Sequence, residues 1–555
     1  MKSLMKSLVV AVWGCGLACA AGMVQPDLLK FKDGRAVAAA DWPARRAEVA
    51  SLVLPIEYGR LPAAPKDGVN VIEVSKSSGL AGRQDIFFRT LKASCDMDGK
   101  PVSFLINIWG ARTNKKLPLL LEGDGCWHCL TDDIILHAVD RGWLVAQFNR
   151  CEVAADNNSS VESTLAKWAW SYHRAIDALL KLEPRVDPAC IAITGHSRGG
   201  KTVALAGATD ARIAAVGDNC SGQGGSGPCR NVPPRGETIK AIARNFPYWF
   251  APGWASWAGR ENELPFDQHF LQALIAPRKL FIRHAAGDLW ANPTGAVDIY
   301  ESSRVVWQLL GKPENIRYSV RPGGHAHTLE DFSLFMDFVE GKKPAPRVRE
   351  FTCHAGAMGT KDNTMESIKT LAATKMDWVE IDVSFRPSGL PVIIHKTNPT
   401  ETEGTPLAEV LAVLGAAGKK INFDLKRMDV ELLKKLPPMM AAAGITPNRM
   451  VFSGVNDKTI PNVRKACKGY PYFFNCTPPK EPGPAMDALI DQIAASGALG
   501  ANPNWRSVTR TFADKLHARG LFLTVWTANS PETFKACEEL DPDYLTTRWV
   551  PENRR

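Results

Sequence analysis

The sequence predicts two α/β domains in tandem: a largely parallel sheet with helices on both faces, then an α/β barrel. Three observations carry this. Apolar runs of strand length alternate with helical stretches through the first part of the chain. A tight G-x-S-x-G turn, Gly195-His196-Ser197-Arg198-Gly199, joins one such run to a helix. Beyond a Lys-, Arg- and Pro-rich break at Gly341–Glu350, about eight further strands follow from Phe351, enough to close a barrel.

A chain of 555 residues is too long for one ordinary domain, and an apolar fraction of 45% supplies full cores. The net charge of +9 is spread along the chain with no block of like charges, which argues against a nucleic-acid tail. Residues 1–20 read as a secretory leader: Lys2 and Lys6, the apolar run Leu8–Leu17, then Ala18-Cys19-Ala20 as a cleavage pattern. That run is too short to span a bilayer, and no later segment has the length and apolarity to do so. The expected location is periplasmic or secreted. Residues before Cys15 and Cys19 fit a lipidation signal poorly. Export permits disulfides, and Cys220–Cys229 and Cys467–Cys476 are candidate pairs. Cys126-Trp127-His128-Cys129 is a lone C-x-x-C, read as loop thiols or a loop disulfide rather than a zinc or redox centre.

The first domain spans 21–342. Strands are predicted at Val69–Ser75, Gln84–Ser94, Val102–Trp109, Leu117–Glu122 and Gly142–Asn149, with a Trp- and Ala-rich helix at Leu165–Leu182. Ile191–Thr194 leads into the turn and Lys201–Ala208 forms the next helix. Glycines flank Ser197 because the turn has no room for side chains, and its hydroxyl is held beside helix N-terminal N–H groups. Later strands at Ile213–Val216, Leu280–His284 and Ile316–Arg321, then a helix at Leu329–Phe338, complete an α/β-hydrolase layout. Such a sheet places an acid and a base after the serine in chain order. Asp288 follows one late strand and His325 follows the last, so Ser197 is the expected nucleophile, His325 the base and Asp288 its orienting acid. His327 is the rival base.

The segment Gly195–Lys201 resembles the elbow of the glucuronoyl esterases, carbohydrate esterase family 15, which carry an arginine after the serine and a lysine three residues further on. Trp42–Pro62, Gln147–Asn157, Trp168–Ala178, Phe246–Phe250, Leu264–Arg278 and Asp288–Pro293 are similar to its bacterial members. The resemblance covers about residues 40–342. It implies an exported serine carboxylic-ester hydrolase without cofactor, acting on 4-O-methylglucuronate esters of plant or algal polysaccharide or of lignin–carbohydrate linkages. Arg198 would then help hold the oxyanion, Lys201 would bind sugar hydroxyls, and Trp290 or Trp249 would wall the sugar. Some members carry a glutamate in the loop after the strand that follows the elbow. Here Cys220 stands about there, so the acid role rests on Asp288.

Residues 343–350 read as the linker and 351–555 as the second domain. Glu380 and Asp382 lie on one face of the strand Trp378–Val383. His354 ends the first strand, His395 ends Leu390–His395, and Asp424 and Lys426 share a face of Ile421–Lys426. Further strands are expected at Met450–Ser453, Tyr472–Asn475, Gly497–Ala501, Leu521–Trp526 and Tyr544–Thr546. Three inward carboxylates either bind a hard divalent cation or pair with Lys426 and Arg386.

His354-Ala355-Gly356, Lys361–Thr364, Glu380-Ile381-Asp382, Pro391–His395, Asp424-Leu425-Lys426, Trp526–Asn529 and Tyr544–Thr547 resemble glycerophosphodiester phosphodiesterases over 351–550. The resemblance implies a TIM barrel with His354 and His395 as acid–base pair. Glu380, Asp382 and Asp424 would hold Ca2+ or Mg2+, and Lys426 would meet the phosphate of a phosphodiester. Ala355 replaces an arginine of that pattern, and Lys396 and Thr547 replace aspartates. Two alternatives therefore stand beside the esterase reading. In one the barrel is the working phosphodiesterase and the esterase half accessory. In the other the barrel is a binding module.

Overall fold

The computed structural model describes residues 26–157, 163–230, 232–342 and 350–554. The predicted leader 1–20 and residues 343–349 of the predicted linker lie outside them. Nine strands form the first sheet: β1 (Asn70–Leu80), β2 (Arg83–Met97), β3 (Lys100–Ala111), β4 (Leu117–Glu122), β5 (Leu144–Phe148), β6 (Val186–His196), β7 (Ala215–Asn219), β8 (Lys279–Ala285) and β9 (Ile316–Arg321). Their spatial order is β1-β2-β3-β5-β4-β6-β7-β8-β9. The β1–β3 meander is antiparallel and joins β5 antiparallel. From β5 to β9 every pairing is parallel.

Side chains alternate across this sheet, so each strand feeds two cores. Ile191 and Ile193 of β6 pack with Tyr172, Val203 and Leu205 on one face. Ala192, between them, packs with Ile134, Val145 and Phe335 on the other. The helices Thr164–Leu182 and Arg198–Thr209 cover the first face, and Asp132–Asp140 and Leu329–Val339 the second. Burial on both faces explains why the central strands read as near-continuous apolar runs.

The second sheet holds β10 (Glu350–Cys353), β11 (Trp378–Phe385), β12 (Pro391–Ile393), β13 (Thr405–Pro406), β14 (Lys420–Leu425), β15 (Met450–Val455), β16 (Tyr472–Phe474), β17 (Gly500–Ala501), β18 (Phe522–Ala528) and β19 (Tyr544–Thr547). Eight of them run parallel in the ring β10-β19-β18-β17-β16-β15-β14-β11, and β10 closes it by pairing with β11. This is a TIM barrel. The predicted strand Leu390–His395 is not one of the eight. Its core, β12, folds back antiparallel on the end of β11, with Val383 opposite Ile393, and β13 pairs with it in turn. The segment between β11 and β12 is a short turn, with no room for the crossover helix a parallel neighbour needs.

The barrel rests on the first domain through its helix Arg510–Ala518, which packs on the helix Pro293–Leu309 and on the edge strand β9. Lys515, wholly buried, donates to Asp298 of the first domain at 2.6 Å and to Asp487 at 2.7 Å. No helix among the described residues is long and apolar enough to cross a membrane. All eleven described cysteines are free thiols, so neither Cys220–Cys229 nor Cys467–Cys476 is bridged.

Candidate active sites

The elbow is strained where the sequence pattern places it. Ser197 takes φ 57°, ψ −119°, between the end of β6 and the helix that begins at Arg198. A Cβ on Gly195 would stand 2.5 Å from the Gly199 carbonyl oxygen, and one on Gly199 would overlap the carboxylate of Asp124. Neither flanking position therefore admits a side chain. Asp124 accepts the His196 N–H at 2.8 Å and pairs with Arg150, which is buried between Trp127 and Trp168. The turn is braced from behind by this ion pair.

His325 Nδ1 lies 2.6 Å from Asp288 Oδ2. The acid loop and the base loop are stitched together: Ala286 N–H donates to Arg321 O at 2.9 Å and Gly287 N–H to Gly323 O at 2.8 Å. Arg321 in turn donates to Asp331 and, at 2.7 Å, to the Ala326 carbonyl. Burial pushes the Asp288 carboxyl up, but the hydrogen bond and charge of His325 outweigh it and leave the group below its usual range. The imidazole of His196, beside Ser197, stands 4.3 Å from that of His325, centroid to centroid. His327 is no match for the base position. It is half-buried with its Nδ1 enclosed, stacked on Phe332 at 3.9 Å, and desolvation depresses its pKa to about 3.

Arg198 pairs with Asp156 and is walled by Trp127, Phe246 and Trp249 at 4.7–5.0 Å. Asp156 also accepts from Tyr248 Oη at 3.0 Å and Trp249 Nε1 at 3.1 Å. The Nε of Arg198 is buried without a partner, an unused donor beside Ser197. Trp249 thus positions the guanidinium. Lys201, expected to face sugar hydroxyls, is 2% exposed and meets only protein oxygens: Ser221 O, Gln223 O at 2.6 Å and Glu237 Oε2 at 2.7 Å. Glu237 also accepts from Trp290 Nε1 at 3.0 Å. Trp290 is exposed and lines a cleft with Arg235, Asp288 and His325. Sequence reasoning missed Asp124, Asp156 and Glu237, because each meets its partner only across the fold.

In the barrel, Asp382 of β11 and Asp424 of β14 are paired in register, and one oxygen each from Glu380, Asp382 and Asp424 lies within 4.8 Å of the others. Lys426 bridges Asp382 at 2.8 Å and Asp424 at 2.7 Å. Arg386 takes no part; it donates to the carbonyls of Glu403 and Gly404. One ammonium among three carboxylates leaves negative charge uncompensated, and burial followed by repulsion from Asp382 and Asp424 pushes Glu380 well up. The donor set therefore fits a hard divalent cation, all oxygen and net negative. His354 faces Glu380 with its buried Nδ1 unpartnered, and burial lowers its pKa to about 4. His395 is exposed at the same mouth. Arg548, aligned beside His354 by the β10–β19 register, donates two hydrogen bonds to Asp362. Gly356 leaves the space that Asp362 fills.

Comparison with known proteins divides the chain the same way. Residues 99–311 match the family model "Glucuronyl esterase, fungi", and residues 416–548 match "Glycerophosphoryl diester phosphodiesterase family". The chain is 36% identical over 192 residues to carbohydrate esterase MZ0003 of an unknown prokaryotic organism, covering 32% of this chain and 44% of that protein. It is 28% identical over 326 residues to the 4-O-methyl-glucuronoyl methylesterase of Podospora anserina, covering 54% and 63%. It thus spans less than two thirds of these relatives. Among solved structures, a promiscuous CE15 esterase from a marine bacterial metagenome superposes with a TM-score of 0.52 at 25% identity, covering 58% of this chain and 97% of that one. A CE15 glucuronoyl esterase from Caldicellulosiruptor kristjansonii superposes at 0.50 with 28% identity, covering 57% and 90%. The amino-terminal half resembles CE15 glucuronoyl esterases in sequence and fold, and the barrel resembles glycerophosphodiester phosphodiesterases.

Proposed function

We propose that the protein is an exported serine ester hydrolase cleaving 4-O-methylglucuronate esters of plant or algal polysaccharide, with a metal-binding barrel fused behind it. The observation that carries the reading is the His325–Asp288 hydrogen bond at the ends of β9 and β8, beside a serine held on a strained elbow at the end of β6. Ser197 Oγ attacks the ester carbonyl while His325 takes its proton through Nε2. Asp288 keeps the other ring proton on Nδ1 and stabilises the imidazolium. Arg198 Nε and the first N–H groups of its helix face the developing oxyanion, where a fixed charge in a desolvated cage is worth several kcal/mol, about 3–4 by analogy with other oxyanion donors. His325 returns the proton to the departing alcohol, and water then repeats the cycle on the acyl-serine. Trp290 offers an aromatic face to the sugar, and Glu237, tied to both Trp290 and Lys201, fixes its orientation.

The test is hydrolysis of benzyl glucuronate by the purified chain with and without EDTA, beside Ser197→Ala. Turnover should resist EDTA and fall by roughly 10⁶-fold in the variant. Turnover that survives the substitution defeats the serine mechanism.

The acid cluster in the barrel supports a second activity on a phosphodiester. Glu380, Asp382 and Asp424 would hold Ca2+ or Mg2+, and such an ion supplies charge stabilisation to a phosphoryl oxygen. His354 and His395 would move protons, and Lys426 and Arg548 would meet the anion. EDTA-sensitive hydrolysis of a glycerophosphodiester, unaffected by Ser197→Ala, is the expected result. Its absence leaves the barrel as a binding module.

A further inference from the structure

Cys220 has no part in the ester mechanism, yet it sits against the acid–base pair. It follows β7, takes φ 50°, and its N–H donates to Arg283 O at 2.8 Å. That left-handed turn leaves the thiol 1% exposed, packed on Ala285 and Ala291. No disulfide consumes it. One ligand atom each from Cys220, Asp288 and His325 lies within 4.8 Å of the other two. The three come from the ends of three neighbouring parallel strands, β7, β8 and β9, so the sheet itself fixes their spacing. His325 opens onto the cleft lined by Arg235, Leu289 and Trp290, which leaves one side of the cluster to solvent.

A thiolate, an imidazole and a carboxylate form a donor set suited to zinc, and a fourth position open to water completes a tetrahedron. Ligand atoms around a tetrahedral zinc stand roughly 3.3–3.6 Å apart, given its usual bond lengths, so small side-chain rotations close this cluster on an ion. The oxygen-only acid cluster of the barrel has no such preference. We propose that Cys220, Asp288 and His325 bind a zinc ion that switches ester hydrolysis off.

The inhibition follows from the tautomer. In the active arrangement the Nδ1 proton of His325 points at Asp288 and Nε2 is free to accept from Ser197. Zinc takes Nδ1, the ring nitrogen that faces Asp288, and the imidazole proton moves to Nε2. A protonated Nε2 cannot accept the serine proton. The Cys220 thiol gives its proton to solvent as its sulfur binds the ion. One proton is released in all and no electrons are transferred. The switch rests on the ester-hydrolase reading, but the binding does not.

The experiment uses the full chain and Cys220→Ser, with Co2+ as the optical probe and Zn2+ as the inhibitor. Wild type should develop the near-ultraviolet thiolate-to-cobalt band, Zn2+ should abolish it, and Cys220→Ser should lack it. Zn2+ should inhibit benzyl glucuronate hydrolysis by wild type reversibly with EDTA. Cys220→Ser should keep wild-type turnover without metal, which also reports its folding. Its half-inhibiting zinc concentration should rise by more than about tenfold, since even an outer-shell partner is worth that much to a metal site. A band that persists in Cys220→Ser, or fails to form in wild type, overturns the site. Equal inhibition of the two proteins overturns the switch. A Cys220-dependent band in a chain with no ester turnover upholds the site and defeats the ester reading instead.

Discussion

The carboxylate of Asp124 occupies the space that a side chain on Gly199 would need. Asp124 cannot retreat, because the His196 N–H and the buried Arg150 hold it. The second glycine of the nucleophile turn is thus a packing requirement imposed from the loop that follows β4. Gly199→Ala should cost about 2–3 kcal/mol by overpacking. The unfolding midpoint of the first domain should fall by roughly 3–5 °C. Calorimetry checks this, and an unchanged midpoint would show that Asp124 has somewhere to go.

Glu57 links stability to pH. It is fully buried, accepts from Gln268 Nε2 at 2.7 Å and Gln223 Nε2 at 3.3 Å, and burial pushes its pKa from 4.5 to about 8. The folded chain then holds this proton more tightly than the unfolded chain. Stability from this group is present below pH 4.5 and is lost as pH rises toward about 8. Glu57→Gln should flatten that decline while leaving stability at low pH close to wild type. Denaturant midpoints measured across this range decide it; parallel curves for the two proteins would refute the assignment.

Lys515 couples the two domains. Its partners Asp298 and Asp487 keep about a third and nearly half of their side chains exposed, at 34% and 45%. Water therefore recovers part of what either loses, and a double-mutant cycle with Lys515→Met and Asp298→Asn should give a coupling of about 1 kcal/mol. Lys515→Met alone should separate the thermal transitions of the two domains. A coupling near zero would mean that the packing of the helix Arg510–Ala518, not its charge, holds the interface.

Glu380→Gln should weaken Ca2+ binding by at least about tenfold and leave glucuronate-ester turnover untouched. Isothermal titration of the full chain reads the first effect and the ester assay the second. Wild-type calcium affinity in this variant would move the cation site elsewhere.

Much of this molecule was legible in its sequence. The order Ser197, Asp288, His325 follows from the chain order such a sheet requires. The G-x-S-x-G turn and the spacing of Glu380 and Asp382 are local facts. They rest on turn sterics and the two-residue repeat of a strand, and both act within a few residues. What the tertiary structure alone decided is which distant groups share a space. It folded β12 back on β11, withdrew Lys201 behind Glu237, turned His327 onto Phe332, and left Cys220 and Cys229 unbridged. It also set Cys220 beside Asp288 and His325. The Lys201–Glu237 pair and the Cys220–Asp288–His325 cluster join residues tens of positions apart, and even the nearby β12 and His327 are placed by what packs around them. Their energies come from burial and charge pairing across the sheet, for which one-dimensional spacing carries no signal.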